Sequence, residues 1–140
     1  MDDEYGRQHG EQAAGQRWEN AGNLPGGKTL GTFQVGSAPL GIAFDGANIW
    51  TANSGDGTVS KLRASNGKTL GTFSPGGNPY GIGFDGVNIW VSGNYVFEFR
   101  ASDGKQILTF NTPNTNTIGV AFDGAPIFMG GLNDNTVWKF

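Results

Sequence analysis

From Gly27 onward the chain repeats one pattern three times, with copies that begin at Gly27, Gly67 and Gly104. The first two copies share the heptapeptide GKTLGTF, and all three contain FDG followed one residue later by NIW or PIF. The starting points lie roughly 40 residues apart, which is the length of one four-stranded propeller blade. Self-similarity at such a period is typical of repeat architectures, in which each copy forms one structural unit.

Each copy of the repeat is predicted to form four short strands, labelled A to D in chain order. In the first copy the predicted strands are A, Leu40 to Phe44; B, Asn48 to Asn53; C, Thr58 to Arg63; and D, Lys68 to Phe73. Asp45-Gly46 lies between A and B, and an Asp-Gly pair between two apolar runs is a strong hairpin signal. Strand C alternates apolar and polar side chains at the period of two that a half-buried strand requires. The repeat therefore predicts an antiparallel four-stranded sheet.

The predicted fold class is an all-β propeller with three four-stranded blades per chain, in which strand A lies nearest the central channel. We expect residues 27–140 to form the blades and residues 1–26 to form a polar, acidic and largely irregular leader. Small residues recur on strand A, where neighbouring backbones converge: Gly41, Ala43, Gly81, Gly83, Gly119 and Ala121. Large apolar residues recur in phase and are predicted to pack between blades: Phe44, Phe84, Phe122, Ile49, Ile89, Ile127, Trp50, Trp90 and Phe128.

The phase of the repeat predicts self-association. Lys28 to Val35 matches strand D but has no A, B and C before it, whereas Thr136 to Phe140 matches strand C with no D after it. Propellers usually have about four to eight blades, so three blades leave a ring open. We expect a homodimer with six blades, closed by strand exchange between Lys28 to Val35 of one copy and Thr136 to Phe140 of the other. The alternatives are a piece of a longer propeller and an end-to-end structural assembly.

Two phrases of the sequence, GIAFDGANIWTANSGDGTVSKLRASNGKTLGTF and GIGFDGVNIWVSGN, resemble the repeats of bacterial propellers in the streptogramin (virginiamycin B) lyase and NHL/YVTN-like group. The resemblance covers residues 27–140 and implies the blade architecture. Lyases of that group rely on histidines and a carboxylate with a divalent metal. The single histidine of this chain is His9, in the leader, so no blade position matches a catalytic histidine of that group.

Catalytic constellations are sparse in the repeats. The chain contains no cysteine, and without a histidine in the blades a Ser or Thr nucleophile lacks its usual activating base. Turn formation explains the Asp of each Asp-Gly pair without a ligand. We therefore expect a non-enzymatic interaction or binding scaffold with no catalytic residue, no metal site and no cofactor. The alternative from another class is a degenerate lyase-like or metal-assisted enzyme that uses Asp56 and Asp134.

Charge and hydropathy exclude two classes of partner. The net charge is −3, the acidic excess lies in the leader, and no basic stripe suited to phosphate contacts is present, so we expect no nucleic-acid binding. No apolar run approaches the length of a membrane span, and the first residues lack a signal-peptide layout. We therefore expect no membrane partner, and the localisation stays unassigned.

Polar side chains predict where a ligand would bind. In a propeller, the loops between D and A and the turns between B and C gather at one mouth of the channel. Amide, hydroxyl and carboxylate groups there suit a carbohydrate or peptide ligand, although the same residues also favour turns. The predicted ligand-binding residues are Asn53, Asp56, Asn78, Tyr80, Asn94, Asn133 and Asp134.

Overall fold

The computed structural model describes residues 27–113 and 115–140, and the predicted leader, residues 1–26, lies outside this range. Contacts within the chain separate Met1–Thr32 from Phe33–Phe140, and every strand described belongs to the second unit. The strands are β1 Pro39–Phe44, β2 Asn48–Asn53, β3 Thr58–Arg63, β4 Thr69–Phe73, β5 Pro79–Phe84, β6 Asn88–Gly93, β7 Tyr95–Arg100, β8 Gln106–Asn111, β9 Thr117–Phe122, β10 Ile127–Gly131 and β11 Thr136–Lys139. In the described part of the chain no helix is long and apolar enough to cross a membrane.

The strands form three antiparallel sheets in sequence order, which confirms the predicted blades. Two sheets have four strands, β1 to β4 and β5 to β8, and the third has three, β9 to β11. The A–B hairpins form because Asp45 Oδ1 accepts hydrogen bonds from the N–H groups of Ala47 and Asn48, at 3.0 and 2.7 Å. Gly46 completes that turn at φ 100°, a conformation that L side chains rarely adopt. The same turn recurs at Asp85-Gly86.

Two apolar clusters hold the blades together. The first lies between the first and second sheets and includes the buried side chains of Trp50, Val59, Ile82 and Phe99. The second lies between the second and third sheets and is built around Val96, Ile127 and Met129. Burial of apolar area is the main stabilising free energy for stacked sheets.

Aromatic side chains from strand D bridge each pair of neighbouring blades. Phe73 stacks on Trp50 of its own blade, with ring centroids 5.8 Å apart, and lies 6.0 Å from Phe99 of the next blade. Phe110 repeats this arrangement one blade later, 6.5 Å from Trp90 and 5.7 Å from Phe140. The in-phase aromatics therefore serve packing, as predicted for Trp50 and Trp90.

The innermost strands approach one another backbone to backbone. A Cβ atom added to Gly41 would lie 2.7 Å from the carbonyl oxygen of Tyr80 and 3.0 Å from Cα of Gly81. A Cβ atom on Gly81 would lie 2.7 Å from Ser92 Oγ and 2.9 Å from the backbone nitrogen of Gly119. Close approach of the inner strands thus requires glycine at Gly41 and Gly81, whereas Gly119 has open space around it and a φ of 59°.

One prediction about packing is wrong, and the predicted pairing between copies stays a prediction because a single chain does not test it. Lys28 to Val35 has no regular secondary structure, because none of the described strands of the same chain pairs with it. Phe44 and Phe122 are exposed rather than packed between blades, whereas Phe84 of the middle blade packs against the first cluster. The first blade has no blade before it, which leaves Phe44 uncovered. The second blade does precede the third, so a missing neighbour does not explain the exposure of Phe122.

We expect Gly81→Ala to lower the free energy of unfolding by about 1 to 3 kcal/mol, because the new methyl group would overpack a site walled by backbone. Gly130→Ala is the matched control, since a Cβ atom there meets nothing within 4 Å. Chemical denaturation monitored by tryptophan fluorescence measures both. Equal stabilities for the two variants would contradict the close approach of the inner strands.

Candidate functional site

The loops before β1, β5 and β9 lie against the B–C turns of the same blades, at the face where a ligand site is predicted. In the first blade the N–H groups of Ser54 and Gly55 donate to the carbonyl oxygens of Ala38 and Ser37, both at 2.9 Å. In the third blade the N–H of Leu132 donates to the carbonyl oxygen of Asn116 at 2.8 Å. In these two blades the loop is therefore tied to the turn by backbone bonds before any side chain acts.

In the first blade, Asp56 holds the loop to the turn. Its Oδ2 accepts the N–H of Ser37 at 2.9 Å, and its Oδ1 accepts the hydroxyl of Thr58 at 2.7 Å. The bond from the Thr58 hydroxyl, followed by that from the Ser37 N–H, holds the pKa of this exposed carboxyl below its ordinary value. Asp56 is therefore ionised near neutral pH, with both oxygens engaged within the blade.

The second and third blades repeat this arrangement with other side chains. Asn94 Oδ1 accepts the N–H of Asn78 at 2.8 Å. In the third blade the N–H of Asn133 donates to Thr115 Oγ1 at 3.2 Å, and Asp134 Oδ1 accepts the hydroxyl of Thr136. The bonds of Asn94 and Asn133 therefore connect loop to turn, whereas the bond from Thr136 to Asp134 lies within one turn.

Asn53 lies beneath this face as the centre of a buried polar network. Its side chain is fully buried. Oδ1 accepts the Thr51 hydroxyl at 2.9 Å, and Nδ2 donates to Thr58 Oγ1 and Ser60 Oγ at 3.0 and 2.9 Å. Through Thr58 the network continues to Asp56. The structure thus brings together two predicted site residues, Asn53 and Asp56, in a structural network.

The ligand-binding role of the predicted residues stays a prediction. Asn78 and Asn133 are exposed, and Tyr80 and Asn94 are half-buried. Asn78, Tyr80 and Asn133 therefore retain surface from which a ligand could be contacted. Within residues 27–113 and 115–140 no three His, Cys, Asp or Glu side chains come together as metal ligands. His9 lies outside the described residues.

The Asp-Gly turns also orient the tryptophans of strand B, a role that turn chemistry alone did not predict. Trp50 Nε1 donates to Asp45 Oδ2 at 2.7 Å, and Trp90 Nε1 donates to Asp85 Oδ2 at 2.8 Å. The third blade has Phe128 at this position, and Asp123 accepts only a 3.4 Å bond from its own turn. The sequence does carry a signal for this role: the residue five positions after the Asp is Trp in the first two copies and Phe in the third.

Hydrogen bonding outweighs burial in setting the acidity of these two carboxyls. Burial raises the pKa of Asp45. The hydrogen bonds from the Trp50 indole and from the turn N–H groups together lower it by more, so the net pKa lies below the ordinary value of 3.8. The pKa of Asp85 is lowered in the same way, by its turn N–H groups and the Trp90 indole against the effect of burial. Both groups are therefore ionised acceptors with structural roles and do not have the raised pKa of a general acid.

Comparison with known proteins identifies the architecture. No protein-family profile matches the sequence, and no curated protein matches it. Among solved structures the chain is similar to a catalytically inactive virginiamycin B lyase from Staphylococcus aureus with quinupristin, at 18% identity and a TM-score of 0.61, over 74% of this chain and 37% of that chain. It is also similar to the WD40 propeller domain of Doa1, at 19% identity and a TM-score of 0.59, over 67% and 33% of the two chains.

A third similar structure is that of U3-55K, at 14% identity and a TM-score of 0.62, over 81% of this chain and 41% of that chain. The chain spans less than half the length of each of these three structures. At such identities the likeness shows the fold alone. It confirms the β-propeller fold predicted from the repeat.

We expect Asp85→Asn to lower the free energy of unfolding by about 1 to 2 kcal/mol at pH 7. Asp85 accepts the turn N–H groups at Oδ1 and the Trp90 indole at Oδ2, whereas an amide has only one acceptor oxygen. Asp123→Asn is the matched control and should cost less, since no indole bonds to Asp123. Thermal unfolding measures both.

The pH dependence of this difference gives a second readout. A carboxyl whose folded pKa is lowered stabilises the fold above its ordinary pKa of 3.8, and this contribution is lost as the pH falls through the lowered value. The gap between the wild type and Asp85→Asn should therefore narrow below about pH 4. A gap that is constant down to pH 2 would contradict the role assigned to the Asp85 carboxylate.

Proposed function

We propose that this protein is a non-enzymatic β-propeller scaffold that works as an assembly of its own copies, with a homodimer of six blades as the assembly that we favour. Its membership of the streptogramin lyase and NHL/YVTN-like group is part of the same proposal. Two observations support the proposal. The outer faces of the blade stack expose apolar side chains, and the carboxylates of the loop face already accept hydrogen bonds within their own turns.

The observation that carries the proposal is unequal burial at equivalent positions. Val59 and Val96 on strand C are each 0% exposed because the next blade covers them, whereas the equivalent Val137 is 71% exposed. Ile82 on strand A is 7% exposed beneath the preceding blade, whereas the equivalent Ile42 is 69% exposed. The two outer faces thus carry the side chains that meet inside the stack. Exposed apolar patches of this kind mark sites of protein association.

A second copy fits these faces better than an unrelated protein. One face presents the surface that precedes a blade, and the other presents the surface that follows one. When the third blade of one copy lies against the first blade of another, the contact reproduces the packing between blades within one chain. Two such contacts related by a two-fold axis give six blades, within the usual range of about four to eight.

A scaffold role agrees with the chemistry of the loop face. Asp45, Asp56, Asp85 and Asp134 each accept hydrogen bonds from their own turns, so their oxygens are already engaged in structure. The enzymatic alternative needs Asp56 and Asp134 free to act on a substrate or metal. A carbohydrate or peptide ligand on the remaining polar surface, around Asn78, Tyr80 and Asn133, is the accompanying proposal.

Absolute mass by light scattering on a sizing column tests the assembly. We expect the wild type at about twice the 14.7 kDa chain mass and Val137→Asp at the mass of one chain, because a carboxylate in the contact would be desolvated without a partner. Val87→Asp is the matched control. Val87 is similarly exposed but lies in the A–B turn of the middle blade, so this variant should stay dimeric.

A wild type that keeps the mass of one chain at every concentration would contradict the assembly. A wild-type mass that keeps rising with concentration would favour an end-to-end assembly, which is a filament, over the closed ring. A Val137→Asp variant as dimeric as the wild type would show that copies associate through some other surface.

A further inference from the structure

A buried lysine joins the first blade to the second. Lys61 on β3 is 8% exposed, and its Nζ donates to the carbonyl oxygens of Ala101 and Ser102 at 2.7 and 3.3 Å. The same Nζ lies 5.1 Å from the centroid of the Trp50 ring. A buried cation is tolerated because two carbonyl dipoles and an aromatic face replace its water.

The partners of this lysine belong to a turn that occurs twice in the described chain. Arg-Ala-Ser stands at residues 100–102, between β7 and β8, and again at residues 63–65, between β3 and β4. In the second blade Lys61 covers Ala101, which is buried. In the first blade the equivalent Ala64 and Ser65 are exposed. Among the described residues, no lysine donates to the Ala64 and Ser65 carbonyl oxygens of this turn, whereas Lys61 donates to those of its counterpart.

The matching lysine lies at the other end of the stack. In the repeat, Lys61, Glu98 and Lys139 are equivalent positions on strand C. Glu98 takes this position in the second blade, on β7, and its side chain accepts a hydrogen bond from Asn88 Nδ2 of the same sheet. Lys139 is exposed and lies over the Phe128 ring at 5.9 Å, as Lys61 lies over Trp50. The third blade thus presents a lysine Nζ near the aromatic ring of strand B, as the first blade does with Lys61.

We infer that Lys139 of one copy donates to the carbonyl oxygens of Ala64 and Ser65 of a second copy, and that Lys28 to Val35 of that second copy pairs with β11 in a defined register. This inference rests on the proposed assembly. It specifies the contact between the third blade of one copy and the first blade of the next, which we call the joint. It assigns a lysine to each Arg-Ala-Ser turn in the described chain, one within the copy and one between copies.

The register follows from the two complete blades. In the first, Val59 pairs with Phe73, and in the second, Val96 pairs with Phe110. The equivalent pair across the joint is Val137 with Phe33. The second blade also pairs Tyr95 with Asn111, which places Thr136 opposite Gln34.

The position of Phe33 agrees with this register. In the second blade a Cβ atom on Gly104 would collide with the Phe73 ring, and in the first blade a Cβ atom on Gly67 would collide with the Phe33 ring. Phe33 therefore already covers the first blade as Phe73 covers the second. Phe33 is still 55% exposed. In the first blade, Phe73 of strand D stacks on Trp50 of strand B in the same sheet. Phe128 of the other copy is the residue at the equivalent position.

Disulfide trapping tests the register. The chain has no cysteine, so Gln34→Cys combined with Thr136→Cys introduces the only two thiols. Directly opposed residues of antiparallel strands have Cα atoms about 4.5 to 5.5 Å apart, which is within disulfide range. We expect mild oxidation of the folded full chain to give covalent dimers, or a ladder of multimers if the joint propagates as a filament.

Each single-cysteine variant is the control and should stay mostly uncrosslinked. An oxidised product with the mass of one chain would show that the segment pairs within its own chain, and would overturn the inference.

Removing the Lys139 charge tests the lysine itself. Lys139→Met keeps the apolar stem and loses the donor, so we expect dimer dissociation to be roughly 10- to 100-fold more favourable than in the wild type. Lys105→Met is the surface control and should leave the dissociation constant unchanged. Lys61→Met should lower the melting temperature, because its contacts lie within one chain.

The failure of this joint is distinguishable from the failure of the assembly. If the wild type is dimeric and Val137→Asp is not, while Lys139→Met dissociates like the wild type, the scaffold stands and the assigned lysine contact is wrong. If the wild type has the mass of one chain throughout, both proposals fall.

Discussion

The packing of one blade face against the next is the interaction on which the rest of this structure depends. Apolar side chains of each sheet meet the next blade, so the strands gain free energy when a neighbouring blade removes these side chains from water. The buried positions of strands A and C, the bridging phenylalanines of strand D and the glycines near the channel all serve this contact. Where the contact is absent, at Ile42 and Val137, the same side chains are exposed.

The heptapeptide GKTLGTF shows that strand formation here is decided by the partner and not by local sequence. It occurs at residues 27–33 and again at residues 67–73. The second copy forms β4 because β3 offers its unpaired backbone groups, whereas the first copy has no strand assigned within the isolated chain. Intrinsic β-propensity cannot explain the difference, since the residues are identical. A strand from outside the chain would supply the missing backbone partner.

The sequence predicted the blades well and the side-chain contacts of the site poorly. Strand bounds and the A–B turns followed from periodicity and from Asp-Gly chemistry, which act over a few residues. The indole bond of Asp85 and the carbonyl contacts of Lys61 depend on distances that the pattern does not contain, so neither was predicted. Asn53, a predicted ligand-binding residue, is buried and donates to Ser60, which stands where the other blades have an aromatic ring; its ligand-binding role stays a prediction. The polarity of a loop thus could not distinguish a ligand site from its internal hydrogen bonds.

Amide hydrogen exchange on the 140-residue chain tests most directly the claim that a second copy completes the blade stack, because the repeated heptapeptide supplies its own reference. The account predicts that amides in residues 28–33 are protected to the level of those in residues 68–73, and that dilution removes the protection of the first set only. Exchange of residues 28–33 at the rate of an unstructured peptide at every concentration, with residues 68–73 protected, would contradict it.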